Sequence, residues 1–379
     1  MNGAQPWFTC ITFATSLLIG CGRREVELST PPHLESSPDP TILGSINEQV
    51  GWLTVDEERL YWVGTFATTE WETYQAGNTG SALHSCSKAH CSDSLATYDA
   101  TSVDAYWGLR LRQGEIYWQK RQGARADVVA CPVAGCSGAP RVVVYGGLDR
   151  SLSVVLGADA MYYDEPGMGL LRKPFSGQAN PEQLLSVSVS NSESIFGLAI
   201  HGDFLYWFSQ SNAPNVSSVA LRRTRATGGS DAETLAEHLQ VLRSWAPQNT
   251  AAFTHPGLAF DETYVYWTEN TLTGSLRRCP LAGCRAAPEV LASPIRAPLN
   301  LLVDGTTGYF QYDDTLYGNS LARCLLEHCE PSAPIVSGLD GWDAIAIDDR
   351  YVYAATTEQG PNPDQPWDTP DAHIRRFAK

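Results

Sequence analysis

Past its first twenty residues the sequence has no segment approaching the roughly 20 apolar residues that a transmembrane helix needs. Nor does it have the low hydrophobicity of a disordered chain, because hydrophobic residues make up 43% and charged residues only 18%. Methionine is rare, with three residues, and extended helical periodicity is missing. The chain contains no cluster of basic residues able to track phosphates, and its net charge is −16, so nucleic acid is not an expected partner. No nucleophile motif and no histidine metal cluster is present, and neither a cofactor nor a metal is expected. Eleven Trp, sixteen Tyr, thirty-two Gly and twenty-three Pro favour many short strands joined by tight turns. The expected class is all-β.

The N-terminus carries an apolar run, Phe8 to Ile19, too short to span a bilayer and ending in Leu18-Ile19-Gly20-Cys21. The run reads as a signal-peptide core over residues 1–20, although no Lys or Arg precedes it, and a start codon further upstream would supply one. The tetrapeptide resembles the lipobox of bacterial lipoproteins. That resemblance implies diacylglycerol on Cys21, a cell-envelope location, and sorting to the outer membrane in a host with two membranes, since Gly22 follows the Cys. Residues 21–40, rich in Pro, Ser and Glu, read as the lipidated Cys and a flexible tether.

Residues 41–379 repeat. Tyr-Trp-like pairs occur at Tyr61, Tyr117, Tyr162, Tyr206, Tyr266, Tyr309 and Tyr353, spaced by 56, 45, 44, 60, 43 and 44 residues. This is the period of a four-stranded propeller blade with two insertions, and seven copies predict a seven-bladed β-propeller. Nine and seven residues before the Trp-like position every copy is apolar, from Leu53/Val55 to Ile345/Ile347, as an inner strand packed on a neighbouring blade requires. Asp56, Asp261, Asp304 and Asp348 share the position that follows. One carboxylate per blade cannot supply a calcium site, so an Asx-type turn cap is the expectation. The seventh copy stops at His373–Phe377, one strand short, and Thr41–Ile46 has the right length to provide the missing outer strand.

Leu258-Ala259-Phe260-Asp261 with Tyr266-Trp267-Thr268-Glu269 resembles the YWTD repeat of low-density-lipoprotein-receptor propellers. The resemblance touches most of residues 50–379, but only this copy approaches the full tetrapeptide, and that family has six blades with growth-factor-like modules beside them. What it implies is extracytoplasmic binding through a propeller face.

Of ten cysteines, Cys10 lies in the signal segment and Cys21 in the lipobox. The other eight form four C-x4-C units, Cys86/Cys91, Cys131/Cys136, Cys279/Cys284 and Cys324/Cys329, each at the turn from third to outer strand. Local disulfides are expected in an oxidising compartment. Two thiolates per blade are too few for zinc, and Phe175-Ser176-Gly177 and Thr227-Gly228-Gly229 replace the unit in the third and fourth copies, so a structural staple is the reading.

The long insertions all fall toward the other face: Val63–Leu83, Phe208–Ser218, Glu237–His255 and Ala355–Ala372. Those of blades 1 and 7 bring Glu70, Trp71, Glu72 and Tyr74 beside Asp364, Trp367, Asp368 and Asp371, a mixture suited to a glycan, a peptide or an envelope protein. Trp52, Trp107, Arg150, Phe196, His255, Asn300, Trp342 and Asp343 precede the inner strands, near the channel mouth. The candidate binding residues are Trp71, Tyr74, Trp107, Arg150, His255, Trp342, Asp343 and Trp367. The expectation is a monomeric binding module on a lipid anchor. The alternative is a hydrolase or lyase with Asp343, His255 and Arg150 at the channel mouth. The Arg pairs at 222/223, 277/278 and 375/376 are expected to turn one member to solvent or to the next blade's acids.

Overall fold

Seven antiparallel four-stranded sheets follow one another along the chain. In the computed structural model, residues 41–46, 48–67, 79–101, 106–122, 125–146, 153–165, 168–176, 180–185, 193–213, 216–229, 231–241, 257–284, 287–314, 318–330, 334–337, 339, 345–357 and 372–379 are described. Strand β1 (Thr41–Ile46) comes first, and blade 1 is β2 (Gln49–Val55), β3 (Arg59–Ala67), β4 (Thr79–Ser87) and β5 (Ala96–Thr101). Blade 2 is β6 (Tyr106–Arg112), β7 (Glu115–Gln122), β8 (Arg125–Pro132) and β9 (Arg141–Val144). Blade 3 is β10 (Val154–Leu156), β11 (Ala160–Glu165), β12 (Gly169–Pro174) and β13 (Glu182–Leu185). Blade 4 is β14 (Glu193–His201), β15 (Phe204–Ala213), β16 (Val216–Arg225) and β17 (Glu233–Leu239). Blade 5 is β18 (Leu258–Phe260), β19 (Tyr264–Glu269), β20 (Gly274–Pro280) and β21 (Glu289–Ile295). Blade 6 is β22 (Leu299–Asp304), β23 (Thr307–Asp314), β24 (Gly318–Leu325) and β25 (Val336–Ser337). Blade 7 is β26 (Ile345–Ile347), β27 (Tyr351–Thr357) and β28 (Ala372–Ala378), with β1 as its outer strand.

The ring closes as its ends predict. Thr41 pairs with Arg376 and Ile46 with Ala372, so the first strand completes the last blade. Each inner strand touches the next, and β26 touches β2.

The repeat unit explains the core. Because strand side chains alternate, the two members of each Tyr-Trp pair point to opposite neighbours. Tyr61 packs into blade 2 beside Leu109 and Trp118, while Trp62 packs into blade 7 beside Tyr353 and Ile374. The same division holds at Tyr206/Trp207, Tyr266/Trp267 and every other copy. The paired inner-strand residues join the Trp side, so Leu53/Val55 face blade 7 and Leu258/Phe260 face blade 4. The hydrophobic core is accordingly a wedge at each blade-to-blade junction. Trp62, Trp118, Trp207 and Trp267 are exposed by 2% or less, and truncating any one removes a filler worth about 3–5 kcal/mol.

Candidate functional site

The two faces of the ring are built differently. On one of them, the residue after each third strand donates its N–H to a carbonyl in the turn between first and second strands of the same blade. This bond recurs from Lys88 to Glu58, Val133 to Gly114, Phe175 to Asp159, Ala226 to Asp203, Leu281 to Thr263, Leu326 to Thr306 and Lys379 to Arg350. The aspartates expected as turn caps work there. Asp261 Oδ1 accepts from the N–H groups of Thr263 and Tyr264, both at 2.7 Å, and its Oδ2 accepts from the Tyr266 hydroxyl at 2.5 Å. Asp56 and Asp348 repeat the pattern with Tyr61 and Tyr353. Asp304 instead takes the Lys379 ammonium at 2.6 Å.

The tyrosines Tyr61, Tyr266 and Tyr353 therefore have a second task that the sequence reading missed. Their constant spacing of five residues from the Asp was the available signal. Burial and the Asp hydrogen bond raise the Tyr266 hydroxyl's pKa, while that bond and two N–H donors outweigh burial to lower Asp261. Burial would raise Asp348, but Lys88, two backbone N–H groups and Tyr353 bring it to about 2.

All four C-x4-C units are disulfide-bonded as expected, Cys86 to Cys91, Cys131 to Cys136, Cys279 to Cys284 and Cys324 to Cys329, with Cα–Cα distances of 4.7 to 5.3 Å. They are structural staples, and each bridge also joins the core shared with the preceding blade. Cys86 and Cys91 meet Leu43 and Ile374 of blade 7, and Cys131 and Cys136 meet Tyr61 and Leu83 of blade 1. Cys279 and Cys284 meet Leu235 of blade 4, and Cys324 and Cys329 meet Tyr266 and Ile295 of blade 5. In blade 3 Phe175 fills the corresponding space, edge-on to Tyr117 and under the Arg112 guanidinium.

In two of the Arg pairs the acid reached is not the next blade's, although Arg223 also donates to the Leu281 carbonyl of blade 5. Arg223 and Arg278 bind Glu233 and Glu289, each on the outer strand of its own blade rather than the next one. Their partners are in register across the ladder, which makes the local pairing short and two-pronged at Arg278. Arg277 reaches Glu269, a carboxylate buried to 5% exposure and also held by Ser275.

At the opposite face the strands lead into segments outside the described residues. Trp71, Tyr74, Arg150, His255, Trp342, Asp343 and Trp367 are outside the described residues, as are Glu70, Glu72, Asp364, Asp368, Asp371 and Cys21. Trp107 is placed only by its backbone, in β6. The blade 4 insertion is a hairpin extension rather than a loop, since β15 and β16 stay paired to Ala213 and Val216. Phe196, assigned to the channel mouth, is buried and stacks on Phe208 at 5.5 Å.

The channel itself is a cavity of about 380 Å³ to which every blade contributes an inner-strand residue, among them Leu53, Arg110, Val154, Leu198, Leu258, Leu301 and Ile345. Trp52 and Asn300 also line it. The inner strands of blades 1, 2, 4 and 6 are bulged toward the loop face, between Val50 and Leu53, Trp107 and Arg110, Phe196 and Ala199, and Leu299 and Leu302. Gly108, Gly197 and Asn300 take the left-handed conformation there, with φ of 66°, 63° and 48°. The residue after the Trp-like position serves this bend in blades 6 and 2, where Gln311 accepts from the Asn300 amide and Gln119 lies against Gly108; in blade 3, which has no bulge, Asp164 accepts from the Ser153 N–H at 2.5 Å.

No protein-family model matches the sequence, and no curated protein matches it. Among solved structures, the β-propeller domain of the Trilobed protease from Pyrococcus furiosus matches with a TM-score of 0.56 at 10% identity, over 87% of this chain and 95% of that one. A puromycin-hydrolyzing peptidase from Mycobacterium tuberculosis matches at 0.56 and 11% identity, over 90% of this chain and 54% of its own. An acylaminoacyl peptidase from Pyrococcus horikoshii gives 0.55 and 10%, over 87% and 51%. The chain spans about half the length of these two peptidases. At such identities the likeness establishes the fold alone. The P. furiosus domain is described by an open velcro topology, whereas β1 and β28 are hydrogen-bonded here.

Proposed function

We propose that this chain is a lipid-anchored binding module of the bacterial cell envelope, taking a glycan, peptide or protein partner on the face that carries the long insertions. The observation carrying this reading is the entry point of the chain. β1 begins at Thr41 opposite Arg376, near the end of the third strand of blade 7, on the face knitted by the turn bonds and disulfides. An anchor at Cys21 with the flexible tether of residues 22–40 would join the propeller on that face and leave the opposite one, with the insertions, unattached. Rigid turns toward the anchor and variable segments toward the surroundings suit a scaffold that positions binding loops.

A glycan-and-peptide array read with the purified protein tests the assignment. Capture lost on Trp71→Ala or Trp367→Ala, and kept on Leu95→Ser in the opposite face, is the expected result. Equal loss from both kinds of change would remove the two-face division.

A further inference from the structure

We infer that Thr97 is an activated nucleophile, the hydroxyl end of a Thr97–His84–Glu48 relay in blade 1, which takes an acyl group from small aryl esters. None of the three residues lines the channel, and the inference is independent of the binding role proposed above.

The three residues come from separate elements. Trp62, His84 and Thr97 stand directly opposite one another on β3, β4 and β5, so their side chains share one face of the blade. Glu48 precedes β2, in the connection from the strand that closes the ring. His84 Nδ1 lies 2.9 Å from Thr97 Oγ1, and its Nε2 lies 3.2 and 3.0 Å from the two carboxylate oxygens of Glu48. His84 is buried against Trp62, with ring centroids 5.5 Å apart, whereas Thr97, on the outer strand, is exposed.

The carboxylate sets the polarity of this relay. An ionised carboxylate only accepts, so Nε2 of the neutral ring carries the proton and Nδ1 is left as the acceptor. The Thr97 hydroxyl then donates to Nδ1, the arrangement in which an imidazole can take the proton of an attacking oxygen.

The repeat itself does not call for this arrangement. The third-strand residue opposite the Trp-like position is Val129, Leu171, Arg222, Arg277, Ala322 or Arg375 in the other blades, and none of these is a histidine. Two residues beyond the Trp-like position, blade 1 alone has glycine, and a Cβ on Gly64 would overlap Glu48 Oε2. Glycine there admits the carboxylate. Such departures from local consistency mark functional positions.

In the reaction Thr97 Oγ1 bonds to the ester carbonyl carbon and its proton passes to His84 Nδ1. The bond from that carbon to the aryl oxygen breaks, a phenolate leaves with the electron pair, and the new imidazolium faces Glu48. A phenolate leaves without an enclosed acid to protonate it, which suits an exposed nucleophile.

The test treats the purified protein with 4-nitrophenyl acetate and locates the acetyl group by peptide mass spectrometry. Thr97 should be acetylated, Thr97→Val should remove that adduct, and Thr97→Ser should keep it. His84→Gln should slow acetylation at residue 97 by about 100-fold. Glu48→Gln should slow it by about 10-fold or more, because a carboxamide can also donate and no longer fixes the ring tautomer. Nitrogen NMR of the His84 ring reads that effect directly, with the proton on Nε2 in the parent and divided between the two nitrogens in Glu48→Gln. Acetyl groups on lysines with none on Thr97, an unchanged rate in His84→Gln, or a parent ring protonated at Nδ1 would each overturn the inference. Melting curves report the folding of every variant, and the exposed Thr97→Val and Thr97→Ser changes keep the test readable where His84→Gln unfolds.

Discussion

At the scale of single residues, the Asp–Tyr pair caps the first turn of blades 1, 5 and 7. Asp348 shows its energetic weight best because the Lys88 ammonium reaches it from blade 1 at 2.8 Å, joining the two blades that close the ring. Its pKa lies near 2 in the fold and near 3.9 in an unfolded chain. A carboxylate depressed in the folded state contributes stability above its unfolded pKa and loses it as pH falls from about 4 toward 2. Asp348→Asn should therefore cost about 1–2 kcal/mol at pH 7, and the difference from the parent should shrink across that window. Urea denaturation at pH 7, 4 and 2.5 reads this directly, and a gap that stays constant would contradict the linkage. The turn-capping role of Asp56, Asp261 and Asp348 was legible from their common position. The tyrosine hydroxyl was not, because Tyr61, Tyr266 and Tyr353 read equally well as plain core fillers.

At the scale of elements, the strands and their register were legible because alternation has a period of two and each face meets a different neighbour. In blade 5 the inner strand β18 covers Leu258–Phe260, the apolar pair of that copy, and β21 runs to Ile295. The inner-strand bulges were not recognised. Their signal in blades 2, 4 and 6 is Gly108, Gly197 and Asn300 immediately before the apolar pair, where left-handed backbone is tolerated. The disulfides were found as turn staples, but sequence alone does not show which blade a turn leans on, as Cys136 does on blade 1 and Cys329 on blade 5. Closing so short a loop contributes about 2 kcal/mol, and the sulfurs of Cys279 and Cys284 also fill the junction with blade 4. Replacing both by Ser should cost about 3–4 kcal/mol, more than loop closure explains. Cys279→Ala with Cys284→Ala should recover part of it, since an apolar methyl leaves no buried hydroxyl unsatisfied. Chemical denaturation of the two double variants decides this, and equal losses of about 2 kcal/mol would return the bridges to simple staples.

At the scale of the whole molecule, blade number and mode of closure followed from seven copies and a short last one, whereas the insertion face falls on segments 68–78, 242–256 and 358–371, outside the described residues. Long insertions carry little strand periodicity, so neither pattern nor ladder places Trp71 or Trp367. Closure itself makes a strong prediction. Deleting Thr41–Ile46 exposes the edge of β28 and uncovers Cys91, whose sulfur lies 3.3 Å from where a Gly44 Cβ would stand. The melting temperature should fall by about 10 °C or more, and an unchanged value would count against β1 as the clasp. The direction of that clasp has a mechanical consequence. A pull arriving from the N-terminal side of Thr41, against a partner held on the opposite face, runs along β1 rather than across it. The rungs between Thr41 and Ile46 are then strained together in shear, because ladder hydrogen bonds stand perpendicular to the strands. Such a joint resists tension far better than one that peels rung by rung, and a ring clasped this way can hang under load by its first strand.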